Sequence, residues 1–340
     1  LEAFHDQTRG CPHVFCRPSH ADRHLSVHER DAVVDTSAMH LALTLTLVLA
    51  PTGAGLHFVD VGQGSALLVR GREGEVVLVD SGPPSGAEAL LRALDEHELE
   101  HVDLWIHTHF DADHVGGFAR VVAGNDGAWP SDDDVAVAQL WDRGDADLPD
   151  TDALALYLAL ADDRRRAPSP GERFEAAGLS LRVLELDPPP ADVSENERGL
   201  ALCLELEGTR VLIPGDLPAT RVAEAALACG PIDLLWASHH GSASGLDAPT
   251  LAIVDPARVV IGAGPDNTYC HPAASTLALL HAHEVWLLDA AGVDPRGECP
   301  GLADALGPHH TLVGGDLWIT RDAVWLGMPG GGWSAWLSGA

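Results

Sequence analysis

The chain is short of basic charge. Twenty Lys and Arg stand against 51 Asp and Glu in 340 residues, a formal net charge of −31 at pH 7. Such a surface repels polyanions at long range and keeps a protein in solution. Nucleic acid would have to enter through a local basic patch or through bound cations. The densest basic run, Arg164-Arg165-Arg166, reads as a solvated helix end rather than such a patch. Long apolar runs are also missing. The candidate, Leu41 to Ala50, is about half the ~20 residues that a spanning helix requires, which argues against a transmembrane channel in this chain. The six cysteines form no Cys-x-x-Cys pair, and Cys11, Cys16, His20 and His24 fit no common zinc-finger spacing. Ser81, Ser238 and Ser242 lack the setting of a nucleophile elbow. No internal repeat is apparent. Apolar residues, at 46%, are ample for a sizeable core.

Residues 1–38 differ from the rest. They are rich in His, Arg and Asp, lack periodicity and do not begin with methionine. Met39, the apolar run after it and Pro51-Thr52-Gly53-Ala54-Gly55 have the layout of a signal-peptide core and a small-residue cleavage region. The reading is a leader over 1–38 that is non-native or disordered and a signal peptide over 39–55. One domain then runs over 56–340, exported to the periplasm or beyond the cell. The alternative is that Leu41–Leu49, with its alternating threonines, is the first strand. Cys203, Cys229, Cys270 and Cys299 are candidates for two disulfides in an oxidising compartment, with their connectivity open. Cys270, beside His271, reads as structural or disulfide-bonded rather than as a nucleophile.

From Leu56 the pattern is strand and turn. Leu56 to Val69 predicts strand, glycine turn, strand; Glu75 to Val79 a third strand; and Gly86 to Leu99 a helix with Leu90, Leu91 and Leu94 on one face. A buried strand, Val102 to Ile106, leads into His107-Thr108-His109-Phe110-Asp111-Ala112-Asp113-His114-Val115-Gly116-Gly117. Residues 125–175 begin polar and turn-rich and read as an insertion near the rim of a site. Further strands are expected over Leu179–Leu186, Leu200–Glu207, Thr209–Ile213, Ile232–Ala237, Arg258–Ile261 and Glu284–Leu288. Helices are expected from Asp152, Pro218, Ala248 and Pro272. Gly314 to Trp325 predicts a closing hairpin. Strands that end in polar loops, with helices between, imply a layered α/β domain.

The loop after Ile106 offers four potential metal ligands within six residues: His109, Asp111, Asp113 and His114. Imidazole nitrogens and carboxylate oxygens suit zinc, and manganese accepts the same mixture. Three more strand ends carry candidates: Asp80 after Val76–Val79, Asp216 across a Pro-Gly turn, and His239-His240 after Leu234-Leu235-Trp236. The expectation is two divalent ions, Zn²⁺ or Mn²⁺. His109 and Asp111 hold one and Asp113 and His114 the other, Asp216 bridges, and one of His239 or His240 completes the second site. His240 is favoured because the following glycine frees the backbone. Paired ions turn water into a nucleophile at neutral pH, and Asp113 and Asp80 are candidate catalytic residues.

The run from His109 to His114 resembles the metallo-β-lactamase superfamily signature, in the variant His-x-Asp-x-Asp-His. A narrower resemblance rests on Phe58-Val59-Asp60-Val61-Gly62-Gln63-Gly64, Val79-Asp80-Ser81-Gly82, Pro214-Gly215-Asp216, His239-His240-Gly241-Ser242 and Tyr269-Cys270-His271-Pro272. In that order they resemble the metallo-hydrolase domain of ComEC-type DNA-internalisation competence proteins, from about Leu56 to Trp325. The resemblance implies an αββα sandwich with metals at one edge. It places Asn196, in Ser194-Glu195-Asn196-Glu197-Arg198, where other members carry a histidine ligand. It also implies Asn196, Ser242, Asn267 and Tyr269 as substrate-binding residues and His271 as a further catalytic candidate. Cys270 replaces a usual glycine. The long membrane regions of ComEC proteins are absent, so the chain resembles the stand-alone, exported members. The implied function is metal-dependent hydrolysis of a phosphodiester, nucleic acid among the possible substrates. The alternatives are a β-lactam or lactone hydrolase, which Asp111 and Asn196 argue against, and a metal-bound, non-catalytic binding protein. Oligomeric state is not readable.

Overall fold

The computed structural model describes residues 51–124, 129, 135–264, 268–288, 299, 301–328 and 332–336. The leader, the apolar run up to Ala50, Asp132–Asp134 and Asn267 lie outside the described residues.

The first half of the chain contributes β1 (Gly55–Phe58), β2 (Leu67–Arg70), β3 (Val76–Val79), α1 (Ala87–Glu96), β4 (His101–Val102) and β5 (Leu104–Ile106). Then come α2 (Ala112–Val115), α3 (Phe118–Val122), β6 (Ala136–Val137), β7 (Leu140–Trp141), α4 (Asp152–Ala161) and β8 (Arg165–Arg166). The second half begins with β9 (Arg173–Ala176), β10 (Leu179–Val183), β11 (Leu202–Leu206), β12 (Thr209–Ile213), α5 (Ala219–Cys229) and β13 (Leu234–Trp236). It continues with α6 (Ala248–Val254), β14 (Arg258–Ile261), α7 (Ala274–Leu279) and β15 (Glu284–Leu287). The strands β16 (His310–Leu312), β17 (Leu317–Ile319), β18 (Val324–Gly327) and β19 (Trp333–Trp336) follow.

Two sheets form the body. The first runs β19-β18-β17-β1-β2-β3-β5-β7-β8 and the second β16-β15-β14-β13-β12-β11-β10-β9. Alternation along each strand sorts the side chains between layers. Val77 and Val79 of β3 join Leu104, Ile106, Leu202, Leu204, Val211 and Trp236 in the core between the sheets. Val76 and Leu78 point the other way, with Trp105, under Leu90, Ala93 and Leu94 of α1 and Phe118 of α3. Beyond the second sheet, Leu212, Leu235, Val259 and Ile261 pack with Val222 and Ala225 of α5 and Leu277 of α7. The result is the expected αββα sandwich. Strands covered on both faces are apolar throughout, which is why β3, β5 and β13 read as plain hydrophobic runs.

The strands that matter for function are parallel. β3 pairs with β5, β12 with β13, and β13 with β14, all in parallel. Their C-terminal ends therefore deliver loops to a common edge, where ligands bind in open α/β sheets.

Some expectations change. The 125–175 stretch is not purely a peripheral excursion: β7 pairs with β5 and β8 with β7, both in parallel, extending the first sheet. Each strand has only two residues, too few to show a period in sequence. Buried Trp141 nonetheless belongs to the inter-sheet core. The helix expected from Pro272 begins at Ala274, after a cis His271–Pro272 peptide. The closing hairpin gains a third strand, β19.

Candidate metal centre

Five loops at the common edge build one site. Asp80 follows β3, His107–Gly117 follow β5, Pro214–Asp216 follow β12, Ser238–Ser242 follow β13 and Gly262 follows β14. Close approach of these loops requires glycine at defined places. Gly215 has φ +56°, and a Cβ there would meet the Thr108 side chain at 3.1 Å. A Cβ on Gly117 would run into the Ser81 carbonyl. His239 and His240 themselves adopt left-handed backbone conformations, φ +50° and +54°. This is strain of ~1–3 kcal/mol each that persists only where surroundings enforce it.

The imidazoles are oriented from behind. A carboxylate only accepts hydrogen bonds, so His114 Nδ1–H donates to Asp80 Oδ2 at 2.8 Å. Asp80 also accepts from the Thr108 amide at 2.7 Å and from the Thr108 hydroxyl at 2.9 Å. That hydroxyl, having given its proton to Asp80, is left to accept from His109 Nδ1 at 3.1 Å. His240 Nδ1–H donates to the Gly262 carbonyl at 2.8 Å. Each of the three rings thus presents its Nε2 to the same place.

Asp216 stands there, 4% exposed. Its Oδ1 lies 3.1 Å from His114 Nε2. Its Oδ2 lies 3.9 Å from His109 Nε2, 3.7 Å from His240 Nε2 and 3.7 Å from His239 Nε2. Asp113 Oδ2 is 3.1 Å from His240 Nε2, and Asp111 Oδ2 is 3.6 Å from His109 Nε2. Two groups of donor atoms result, His109–His114–Asp216 and Asp113–His114–His240. His114 belongs to both, and Asp111 lies at the edge of the first. Of the histidine pair, His240 joins the second group. His239 faces the mouth instead, with its Nδ1 3.4 Å from Asn196 Nδ2.

The electrostatics suit a divalent cation. Burial would push the Asp216 carboxyl up, yet the charges of His114 and His240 hold it well below its ordinary range. Burial opposes a charge on His114, but Asp216 and Asp80 raise it well above its ordinary value. His240 is raised in the same way by Asp216 and Asp113 against burial. Asp113 is held low, the effect of burial being outweighed by the His240 hydrogen bond. Protons on histidine supply the positive charge that buried carboxylates demand, and divalent ions displace such protons when they bind.

The residues fit metal ions on two further observations. His114 Nε2 and His240 Nε2 face each other at 3.3 Å while both Nδ1 atoms are engaged. Two imidazole lone pairs at that distance require a shared proton or a cation between them. Buried His109 Nε2 has no hydrogen-bond partner among the described residues. A nitrogen and oxygen set of this kind suits zinc or manganese.

A cavity of about 520 Å³ opens over the centre, lined by Gln63, Pro83, Asp111, Asp113, Asp216, His239, His240, Tyr269 and His271 among others. Tyr269, 74% exposed, stacks on His271 at the mouth. Burial, then the neighbouring charges of His239 and His240, lowers His271 to about 4. Asp80 does not line this cavity; its buried carboxylate bonds Thr108 and His114 behind it. Ser242, expected at the substrate, also lies elsewhere. It is buried, and its hydroxyl pairs with that of Ser244, two residues on, at 3.0 Å. Sequence reading assigned no role to Thr108, Gln63, Arg143 or Glu195. Thr108, Gln63 and Glu195 lie inside the quoted motifs; nothing local marks Arg143. The cysteines pair as Cys203–Cys229 and Cys270–Cys299, the second beside Tyr269 and His271.

Residues 59–264 match the family model described as the metallo-β-lactamase superfamily. The chain is 26% identical over 266 residues to ComE operon protein 3 of Bacillus subtilis, covering 68% of this chain and 31% of that protein. It is 26% identical over 232 residues to Recombination protein 2 of Haemophilus influenzae, covering 66% and 26%. The chain thus spans under a third of the length of these relatives. Among solved structures it is similar to CmlA, a diiron β-hydroxylase from Streptomyces venezuelae, at 14% identity and a TM-score of 0.48, covering 79% of this chain and 54% of that one.

Proposed function

The chain belongs to the metallo-β-lactamase superfamily, whose members are in general metal-dependent hydrolases, and we propose that this one is a dinuclear hydrolase of phosphodiester bonds. The observation that carries the reading is Asp216, whose two oxygens face the His114 side and the His109, His239 and His240 side of one buried cluster. His109, Asp111 and Asp216 would hold one ion. Asp113, His114, His240 and Asp216 would hold the other. Paired divalent ions bring water toward a pKa of ~7 and neutralise charge on a phosphoryl oxygen.

The chain's own residues do the rest. Asp216 and Asp113 hold anionic charge at the floor of the cavity. His271, neutral at pH 7, would offer an N–H to a departing oxygen from the wall. Tyr269 would lie along the bound group at the open mouth, and Asn196 would steady His239. Gln63 and Pro83 also line the cavity. The −31 charge favours a short phosphodiester over long duplex DNA. The names of the relatives, a competence-operon and a recombination protein, support nucleic acid as the substrate class. Two disulfides support export, since such bonds persist in oxidising compartments. Among the described residues no helix is long and apolar enough to cross a membrane. Intact mass of the native protein tests the proposed start; a mass that includes Cys11 and Cys16 rejects a start at Met39.

The test of activity is turnover of bis(p-nitrophenyl) phosphate against a chromogenic cephalosporin, with zinc or manganese loaded and Asp113→Ala as control. Phosphodiester turnover that the substitution abolishes supports the proposal. Cephalosporin turnover alone would transfer the protein to the lactam-hydrolysing class. Bound metal with no turnover on either would favour a binding protein.

A further inference from the structure

We propose that Arg143 and Glu195 are positioning residues for one half of the metal centre, the half that carries His109 and Asp111. The inference rests on the dinuclear reading above.

The pair is buried, with side chains 2% and 10% exposed. Arg143 Nε donates to Glu195 Oε1 at 2.7 Å and its Nη2 to Oε2 at 2.6 Å, a two-pronged ion pair. Glu195 Oε1 also accepts the amide N–H of Phe110 at 2.8 Å. Phe110 is the residue between His109 and Asp111, so this carboxylate grips the turn midway between two candidate ligands. The same guanidinium covers the Phe110 ring at 4.6 Å. Backbone and side chain of one residue are therefore held by opposite members of one ion pair.

The clamp is itself anchored. Arg143 donates to the carbonyls of Ala146 and Asp147, and the Asp147 carboxylate pairs with Arg198 at 2.8 Å. Leu200 N–H donates to the Thr108 carbonyl at 2.8 Å, which lays the 194–200 loop against the ligand turn. Asn196, the next residue after Glu195, reaches His239. Displacing Glu195 therefore shifts the Phe110 turn and Asn196 together. Neighbouring Asp142 is no substitute partner, because its two oxygens are committed to Arg165, Tyr157 and the Gly144 amide.

The other half of the centre has supports that do not pass through Glu195, although Asp80 also reaches His109 through Thr108. Asp113 and His114 lie on α2, His114 is held by Asp80, and His240 by the Gly262 carbonyl. Metal sites depend on such outer partners for ligand orientation, typically by 10–100-fold in affinity. Removing the clamp should thus weaken one ion and spare the other. A pair that merely fastened the β7 loop to the body would lower stability and leave both ions alone.

The experiment is calorimetric titration of the metal-free, full-length protein with zinc, paired with the visible spectrum on titration with cobalt. It compares wild type, Glu195→Ala and Glu195→Gln. In Glu195→Ala one of the two binding steps should weaken ~10–100-fold and the other stay within about twofold. Glu195→Gln, which keeps an acceptor for the Phe110 amide, should recover part of the loss. If the alanine variant does not fold, the glutamine variant alone should still weaken one step by at least about threefold, less than the ~10–100-fold of a lost outer partner because an acceptor for the Phe110 amide remains. Two wild-type-like steps in the glutamine variant, or equal weakening of both, would overturn the clamp while leaving the dinuclear reading intact. Wild-type protein that takes up no zinc would overturn both.

Discussion

Asp80 Oδ2 lies 2.8 Å from His114 Nδ1, and through Thr108 the same carboxylate orients His109. One buried acid thus aims two rings at Asp216 without touching the cavity. Asp80→Asn keeps the shape but turns part of an acceptor into a donor. Zinc affinity should fall ~10–100-fold, read by competition with a chromogenic chelator. An unchanged affinity would show that the rings find their places without Asp80.

Asp216 belongs to the donor group of His109 and His114, and its Oδ2 lies 3.7 Å from His240 Nε2 of the other. Asp216→Ala should therefore reduce metal content from two ions to one or none per chain, where loss of a ligand to a single ion would leave one full-strength site. Metal analysis after gel filtration decides this. Wild-type stoichiometry in the variant would remove the bridging role.

His239 and His240 are adjacent but unequal. His240 is buried with its Nε2 on Asp113; His239 is 28% exposed and leans on Asn196. His240→Ala should lose an ion and nearly all activity. His239→Ala should keep both ions and change mainly KM. The reverse pattern in metal content would exchange their roles.

A second buried network sets an acid limit on stability. His57 Nε2 lies 3.0 Å from the Asp316 carboxylate and its Nδ1 3.1 Å from His97 Nε2. Burial first, and then His57, lowers His97 to about 3. A histidine depressed in the folded state favours folding fully above its unfolded value near 6.5, and that contribution is lost as pH falls from there toward about 3. Between pH 6.5 and 4 the loss should reach at most roughly 3 kcal/mol, at about 1.4 kcal/mol per pH unit. His97→Gln keeps a donor for His57 but does not titrate. Its melting temperature should fall less than that of wild type between pH 6.5 and 4, and parallel curves would refute the assignment.

Much of this protein was legible locally. Apolar runs ending in Asp, His or Gly marked the strands whose tips form the site, because a strand covered on both faces must be hydrophobic along its length. The loop His109 to His114 announced its chemistry by ligand type and spacing alone. The paired positive-φ residues Glu207 and Gly208 made the β11–β12 hairpin readable from a single glycine.

Other features exist only in the folded chain. Which of His239 and His240 turns inward depends on left-handed backbone held by the neighbouring loops. Asp80 and Ser242 looked like residues of the cavity, but Thr108 and His114, distant in sequence, enclose the first, and the second bonds Ser244 two residues on. Cys203 meets Cys229, and Cys270 meets Cys299, across spacings that favour no pairing in sequence. β7 and β8 are two-residue strands without a period, so only the pairing of β7 with β5 and of β8 with β7 defines them, and the loop after β7 carries Arg143 to Glu195. Residue type and short-range period specify elements and the chemistry they carry. Orientation, and therefore role, is decided by contacts between residues far apart in the chain, which neither type nor period encodes.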